Sequence, residues 1–146
     1  MGATGQRSDY AHYSVIPTRW EDNDAYGHVN NIVYYSFFDT AITEWLIDAA
    51  GLDPYAGDVI GLCIASACDY HGPFAFPDKV EAGIRVGHLG RSSVRYEVGL
   101  FKAGEDAPVA EGSFTHVYVD RGDRIPTKIP DGMRKALETL ILEPKT

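Results

Sequence analysis

The chain is expected to fold as an α+β domain in which one antiparallel sheet of about five strands is covered by a single long helix. Three observations predict this. One segment alone carries apolar residues at sustained helical spacing, and four later segments read as strands divided by turns rich in Gly or Pro. With 146 residues and 45% hydrophobic content, the chain has enough apolar side chain for one core and too little for two.

In chain order, residues 1–9 are small and polar and predict a disordered or weakly ordered lead-in, leaving residues 10–146 as the single domain. Tyr10 to Trp20 mixes Tyr, Val, Ile, Thr and Trp as a strand does, and Pro17, which lacks a ladder donor, marks an edge or an end. A polar loop follows, Glu21 to Asn31. From Ile32 the residues Tyr34, Phe37, Phe38, Ala41, Ile42, Trp45, Leu46 and Ala49 recur at three- and four-residue spacing, the stripe of a helix packed on a core. Asn30 suits its N-cap and Gly51 its stop. At about 1.5 Å per residue the helix reaches roughly 30 Å, the width of a small domain.

Val59 to Tyr70 is almost continuously apolar and predicts a buried central strand. Val80 to His88, Val94 to Leu100 and Val109 to Val119 alternate or extend as further strands, linked as hairpins through Gly87 to Arg91 and Ala103 to Pro108. Gly132 to Leu142 closes as a short amphipathic surface helix. A sheet with open edges invites a second copy, so a homodimer or larger assembly is expected.

Charge narrows the function classes. With 13 basic and 21 acidic residues the net charge is −8, and the basic residues are scattered, which argues against nucleic-acid binding. A polyanionic ligand would need a local basic patch or backbone amides. No signal-peptide pattern or membrane-spanning apolar run is present, so a cytoplasmic location without membrane attachment is expected. Cys63 and Cys68 lie five apart in a predicted strand, which points them to opposite faces and argues against a disulfide between them.

The chemistry concentrates in Glu21 to Asn31, with carboxylates, a histidine, adjacent asparagines and a glycine just before the helix. A helix start offers unsatisfied amides and a partial positive charge, suited to a carbonyl oxygen that turns negative during acyl transfer. A neighbouring carboxylate can attack that carbonyl or deprotonate a water. A thioester demands least, because a thiolate with an aqueous pKa of about 8.5 leaves without a strong general acid. The plainer reading is an acidic loop that simply complements the helix dipole. A calcium loop starting at Asp22 places Asp24 and Gly27 correctly but puts Tyr26 and Val33 where ligands belong, and Asp22, Asp24 and His28 lack a second histidine or a cysteine for zinc. No metal site is therefore expected. No Gly-x-Ser-x-Gly elbow, phosphate-binding glycine loop or His-Glu-x-x-His helix offers other machinery.

The run Asp22-Asn-Asp24-Ala-Tyr-Gly27-His28-Val-Asn30-Asn31-Ile-Val-Tyr34 resembles the signature of the 4-hydroxybenzoyl-CoA thioesterase-like family of hotdog-fold proteins, particularly its broad acyl-CoA thioesterase branch. Asp69-Tyr70-His-Gly-Pro73, Phe76-Pro-Asp78, Leu89-Gly90-Arg91-Ser92-Ser93, Ala110-Glu-Gly112, His116-Val-Tyr-Val-Asp120 and Ile129-Pro130 follow in the family's order, so the resemblance covers about Tyr10 to Leu140. It implies a hotdog fold, a curved antiparallel sheet wrapped around the long helix, in a homodimer or homotetramer with active sites at the dimer interface. It also implies hydrolysis of an acyl-CoA to a carboxylic acid and coenzyme A, with no cofactor because coenzyme A belongs to the substrate.

By the same resemblance, Asp24 is the nucleophile or general base, and the amide of Asn31 polarises the thioester carbonyl. Asp22 falls to loop structure. His28, Asn30, Tyr34, Tyr70, Gly72 and Pro73 are implied to border the substrate, although Tyr34 equally suits core packing. Arg91, Ser92 and Ser93 are implied to meet the coenzyme A phosphates. His71, His88 and His116 receive no role beyond packing and hydrogen bonding. The loop lacks the aromatic-rich form of the dedicated hydroxybenzoyl enzymes and looks more like branches acting on fatty or mixed acyl groups. A non-catalytic acyl-CoA or lipid-binding module, and a hydratase or dehydratase on the same fold, are the alternatives. The second would require a differently spaced Asp and His pair that the sequence lacks.

Overall fold

The computed structural model describes residues 5–142. Strand β1 (His12–Pro17) leads through the polar loop to helix α1 (Val33–Ala50). Strands β2 (Val59–Tyr70), β3 (Lys79–Leu89), β4 (Ser93–Lys102) and β5 (Ala110–Asp120) follow, and helix α2 (Asp131–Glu138) ends the fold. All neighbouring strands run antiparallel, in the order β1-β3-β4-β5-β2.

Helix α1 forms where the apolar spacing places it. Tyr34, Phe37, Phe38, Ala41, Ile42, Trp45 and Leu46 are buried, with Ala50 rather than Ala49 completing the stripe. These side chains meet the inner face of the sheet, where Ala82, Ile84, Val98, Leu100, Phe114 and Tyr118 are buried. Burying an aliphatic or aromatic side chain is worth about 1.5–3 kcal/mol, so this face supplies most of the drive to fold. Gly51, left-handed at φ 72°, ends the helix as its amide and that of Leu52 bond back to the Leu46 carbonyl. The sheet wrapped on one long helix is the hotdog arrangement that the resemblance implies.

The structure corrects two sequence expectations, the place of β2 and the facing of the cysteines. Strand β2 is not central: it lies at the edge and pairs only with β5, and its residues are half-buried or exposed. An apolar run signals that a strand is covered, but not whether the cover comes from the same chain. The hairpins expected through Gly87 to Arg91 and Ala103 to Pro108 are present, since β3, β4 and β5 form a meander, and β2 is followed by a crossing to β3. Cys63 and Cys68 do not face opposite ways. The pairing shifts between Cys63 and Ala65, so Gly61 and Cys63 pair with Tyr118 and His116, whereas Ser66 and Cys68 pair with Phe114 and Gly112. All four partners lie on the helix-facing side, because a bulge resets the alternation. Their partners' four-residue spacing still separates the thiols by about 13 Å, beyond disulfide reach, and both are free.

The lead-in expected over residues 1–9 is described only in part. Residues 1–4 lie outside the described residues, but Arg7–Asp9 forms a short 3-10 turn held on the sheet. The Arg7 guanidinium pairs with Glu81 at 2.7 Å and stacks 4.8 Å from the Phe101 ring centre. Helix α2, expected over Gly132 to Leu142, spans Asp131–Glu138 and buries Met133 and Leu137.

Candidate active site at the start of the long helix

The loop before α1 is shaped by its own polar side chains. Asp22 is 2% exposed, and its carboxylate accepts from the Arg19 amide at 2.8 Å and from the Arg19 guanidinium at 2.8 and 3.1 Å. Its carbonyl accepts from the Asn30 amide at 2.9 Å, closing the base of the loop. All of these bonds are structural, and they leave the Asp22 carboxylate occupied. Above it, the Gly27 amide donates to the Asp24 carbonyl at 3.0 Å and the Asp24 amide to His28 at 2.9 Å. Gly27 sits at φ 80°, a conformation that costs glycine little. The turn exposes His28 and leaves Asp24 half-buried.

Asp24 is held at both oxygens. Its Oδ1 accepts from the Tyr26 amide at 2.9 Å, and its Oδ2 from the Asn30 side-chain amide at 3.3 Å. The other end of Asn30, Oδ1, accepts from the Ile32 amide at 3.0 Å. One side chain thus ties the carboxylate to the helix start. The helix itself opens at Val33 rather than at the expected Ile32, after a turn through Asn31 and Ile32. Asn30 caps that turn instead of the first α-helical residue. Among the described residues no hydrogen bond engages the amide of Asn31, which is exposed at the positive end of α1.

The segment after β2 closes against this helix start. Tyr70 donates its hydroxyl to the Asn31 carbonyl at 2.8 Å. Burial, then the neighbouring Cys68 thiol, push the Tyr70 pKa up to about 12, so the hydroxyl stays a donor at neutral pH. The Tyr34 ring lies edge-on to Tyr70, 4.9 Å away. Tyr34 is 3% exposed and its hydroxyl accepts from the Phe74 amide at 3.2 Å, which makes it part of the core. The Gly72 amide donates to the Val109 carbonyl, and Pro73 beside it is exposed. The Val29 amide donates to the Phe74 carbonyl at 2.8 Å and the Phe76 amide to Asn23 Oδ1 at 3.0 Å, so both segments form one unit.

Arg91, Ser92 and Ser93 are not part of that unit. Arg91 and Ser92 lie in the turn between β3 and β4 and Ser93 opens β4, at the opposite end of β3 from Asp78, whose carbonyl accepts from Thr18 just ahead of the loop. The eleven residues of β3 separate the two regions by about 35 Å along the strand. Carbonyls of the turn bond to Ile129, Arg134 and Tyr118, leaving the Arg91 side chain exposed.

Two contributors escaped the sequence reading. The Tyr26 amide grips Asp24 through an Asx turn, which the spacing of Asp24 and Tyr26 permits without requiring. Asn23 fastens the loop to Phe76, and no local pattern signals so distant a bond. Among the described residues no cluster of His, Cys, Asp and Glu suited to a metal ion occurs. A carboxylate, a free helix-start amide and an open approach to both suit acyl transfer from a good leaving group.

Comparison with known proteins gives a consistent result. Residues 18–137 match the family model of the thioesterase-like superfamily. The PA5185 protein of Pseudomonas aeruginosa is 49% identical, with 96% of this chain and 98% of that one covered and a TM-score of 0.93. PA2801 of Pseudomonas aeruginosa, provisionally assigned as a thioesterase, is 32% identical over 88% of this chain and 98% of its own, with a TM-score of 0.81. Slr0204 of Synechocystis, a 1,4-dihydroxy-2-naphthoyl-CoA thioesterase, shares the fold at 16% identity, covering 86% of this chain and 93% of its own with a TM-score of 0.78. No curated protein matches.

Proposed function

Because the chain belongs to the thioesterase-like superfamily, we propose that it hydrolyses an acyl-CoA thioester to a carboxylic acid and coenzyme A. The observation that carries the reading is the pairing of the doubly held Asp24 carboxylate with the unoccupied Asn31 amide, linked through Asn30. The thioester carbonyl would accept from the Asn31 amide, where the helix dipole stabilises the developing negative charge. Asp24 drives the attack, either directly on the carbonyl carbon, giving an acyl anhydride that water then cleaves to the acid and the free carboxylate, or by taking a proton from a water that attacks the carbonyl carbon. The C–S bond breaks and the thiolate leaves without a dedicated acid. Coenzyme A enters as part of the substrate and no further cofactor is needed. His28, Gly72 and Pro73 rim the approach.

The reading includes self-association. Antiparallel pairing of two β2 edges reverses the second sheet end for end. That brings the second copy's turn of Arg91, Ser92 and Ser93 to the end where Asp24 lies, whereas within one chain the two are a strand length apart. An Arg and two hydroxyls there suit coenzyme A phosphates. The apolar, exposed β2 edge supports this assembly as a homodimer, alone or within a homotetramer.

Asp24→Asn preserves shape and removes the carboxylate. Thiol release from a panel of acyl-CoAs is expected to fall by about 10²-fold or more. Unchanged turnover would remove Asp24 from the mechanism, and binding without thiol release from the unaltered protein would favour a non-catalytic module. Mixed oligomers of Asp24→Asn and Arg91→Glu chains should regain activity, because one site then draws both intact residues from different chains.

A further inference from the structure

A cavity of about 190 Å³ lies between α1 and the edge of the sheet, lined by Asp39, Thr43, Gly61, Cys63, His116 and Tyr118, among others. It is several times the share of liquid volume taken by one water. His116 is 7% exposed, and its Nδ1 has no hydrogen-bond partner among the described residues. That atom faces the cavity: a methyl placed on Gly61 would sit 3.5 Å from it and 3.2 Å from the Tyr118 ring. Glycine at 61 keeps the space open. A buried, unpaired polar nitrogen costs about 1–3 kcal/mol, so a native partner from outside the chain is called for.

The cavity lies in line with the candidate active site, along α1 and β2. Tyr35, Asp39 and Thr43 follow one another at four-residue spacing along α1, and the helix-facing side of β2 opposite them carries Cys63, Ser66, Cys68 and Tyr70. Tyr70 reaches the Asn31 carbonyl at one end of this groove. Asp39 lies eight residues beyond Asn31, about 12 Å along the helix. The groove's middle is apolar, where Tyr35 packs 5.7 Å from Phe114 and Cys68 packs on the core. Its far end is polar.

We propose that this cavity receives the distal end of the acyl group and selects medium-length acyl groups bearing a neutral hydrogen-bonding substituent, such as a hydroxyl, with His116 as the specificity-determining residue. The inference rests on the acyl-CoA reading above. Burial pushes the His116 pKa down, against the pull of Asp39, so the ring is neutral and offers one acceptor and one donor nitrogen. The Asp39 carboxylate and the Thr43 hydroxyl complete a set able to hold a hydroxyl, while a terminal methyl would leave Nδ1 unpaired. A site built to hydrogen-bond a substituent discriminates strongly against the analogue that lacks it.

The test compares decanoyl-CoA with its terminally hydroxylated counterpart in thiol release by the wild-type protein, His116→Phe and His116→Gln. The wild type is expected to favour the hydroxylated substrate in kcat/KM by about tenfold or more. The ratio should collapse toward one in His116→Phe and recover in part in His116→Gln, which keeps a hydrogen-bonding group. A wild-type ratio near one, or a preference that survives His116→Phe, overturns the proposal while leaving hydrolysis intact. Release from neither substrate would instead refute the acyl-CoA reading. The cavity is then decided by titrating the free hydroxydecanoate and decanoate while following the His116 ring nitrogen resonances, identified by their loss in His116→Phe. A shift with the hydroxylated acid alone supports it, and equal or absent shifts overturn it.

Discussion

Asn30 makes two bonds with two different consequences, and substitution can separate them. Asn30→Ala removes the acceptor of the Ile32 amide and the donor to Asp24 Oδ2 together. Loss of a capping acceptor costs about 1 kcal/mol, which in a domain of this size lowers Tm by about 3 °C. The Asp24 contact is long, 3.3 Å, and half-exposed, and the Tyr26 amide still holds the other oxygen. About 1 kcal/mol is therefore at stake there too, or roughly fivefold in turnover. Asn30→Ser keeps an oxygen able to accept from the amide two residues on but cannot reach Asp24. Thermal melting and thiol release on both variants should show Tm lowered more in Asn30→Ala than in Asn30→Ser, and turnover lowered in both. Full turnover in Asn30→Ser would refute the reasoning, because the orientation of Asp24 would not depend on Asn30.

Other consequences follow from the buried polar groups and the amino-terminal turn. The Tyr96 and Tyr118 hydroxyls bond to each other at 3.0 Å inside the core. Either Phe variant should cost about 1–2 kcal/mol in denaturant unfolding, and the double variant less than the sum, since no hydroxyl is then left unpaired. Burial holds the His116 pKa below its usual 6.5, so its contribution to stability is present above that value and is lost as pH falls. The denaturation midpoint of His116→Leu should consequently drop less than that of the wild type between neutral and mildly acidic pH. Arg7→Ala, which removes the Glu81 ion pair and the Phe101 stacking, should lower unfolding stability by about 1 kcal/mol. An unchanged value would show the turn to be a passive attachment.

Much of this was legible because it is written in local terms. The stripe from Tyr34 to Leu46 reports the buried face of α1 directly, and Gly51 ends the helix in the one conformation glycine adopts most easily. Asp22 and Asp24, indistinguishable by type, separate once the Arg19 bonds are seen, and only the family resemblance had assigned them different parts. What stayed hidden is non-local. The exposure of β2 depends on which strand lies beyond it, and the distance from Asp24 to Arg91 depends on the sheet order. His116 read as a packing residue because its sequence neighbours alternate ordinarily, whereas its unpaired Nδ1 depends on Gly61 across the strand pair.

The bulge in β2 joins these strands of reasoning. Before it, Gly61 and Cys63 face α1; after it, Ser66, Cys68 and Tyr70 do. An unbroken alternation from Cys63 would instead turn Ala65, Ala67 and Asp69 toward the helix and send Tyr70 outward. The Tyr70 bond to the Asn31 carbonyl would then be lost, and a carboxylate would enter the groove. One extra residue near Ile64 therefore gives the same strand two tasks: small side chains beside His116 that leave a cavity, and an aromatic hydroxyl at the helix start that fixes the peptide before the first turn. Ile64 itself, at that irregularity, is 63% exposed. The residue that reads in sequence as one more apolar member of a buried strand lies at the irregularity that sets which face the rest of the strand presents to α1.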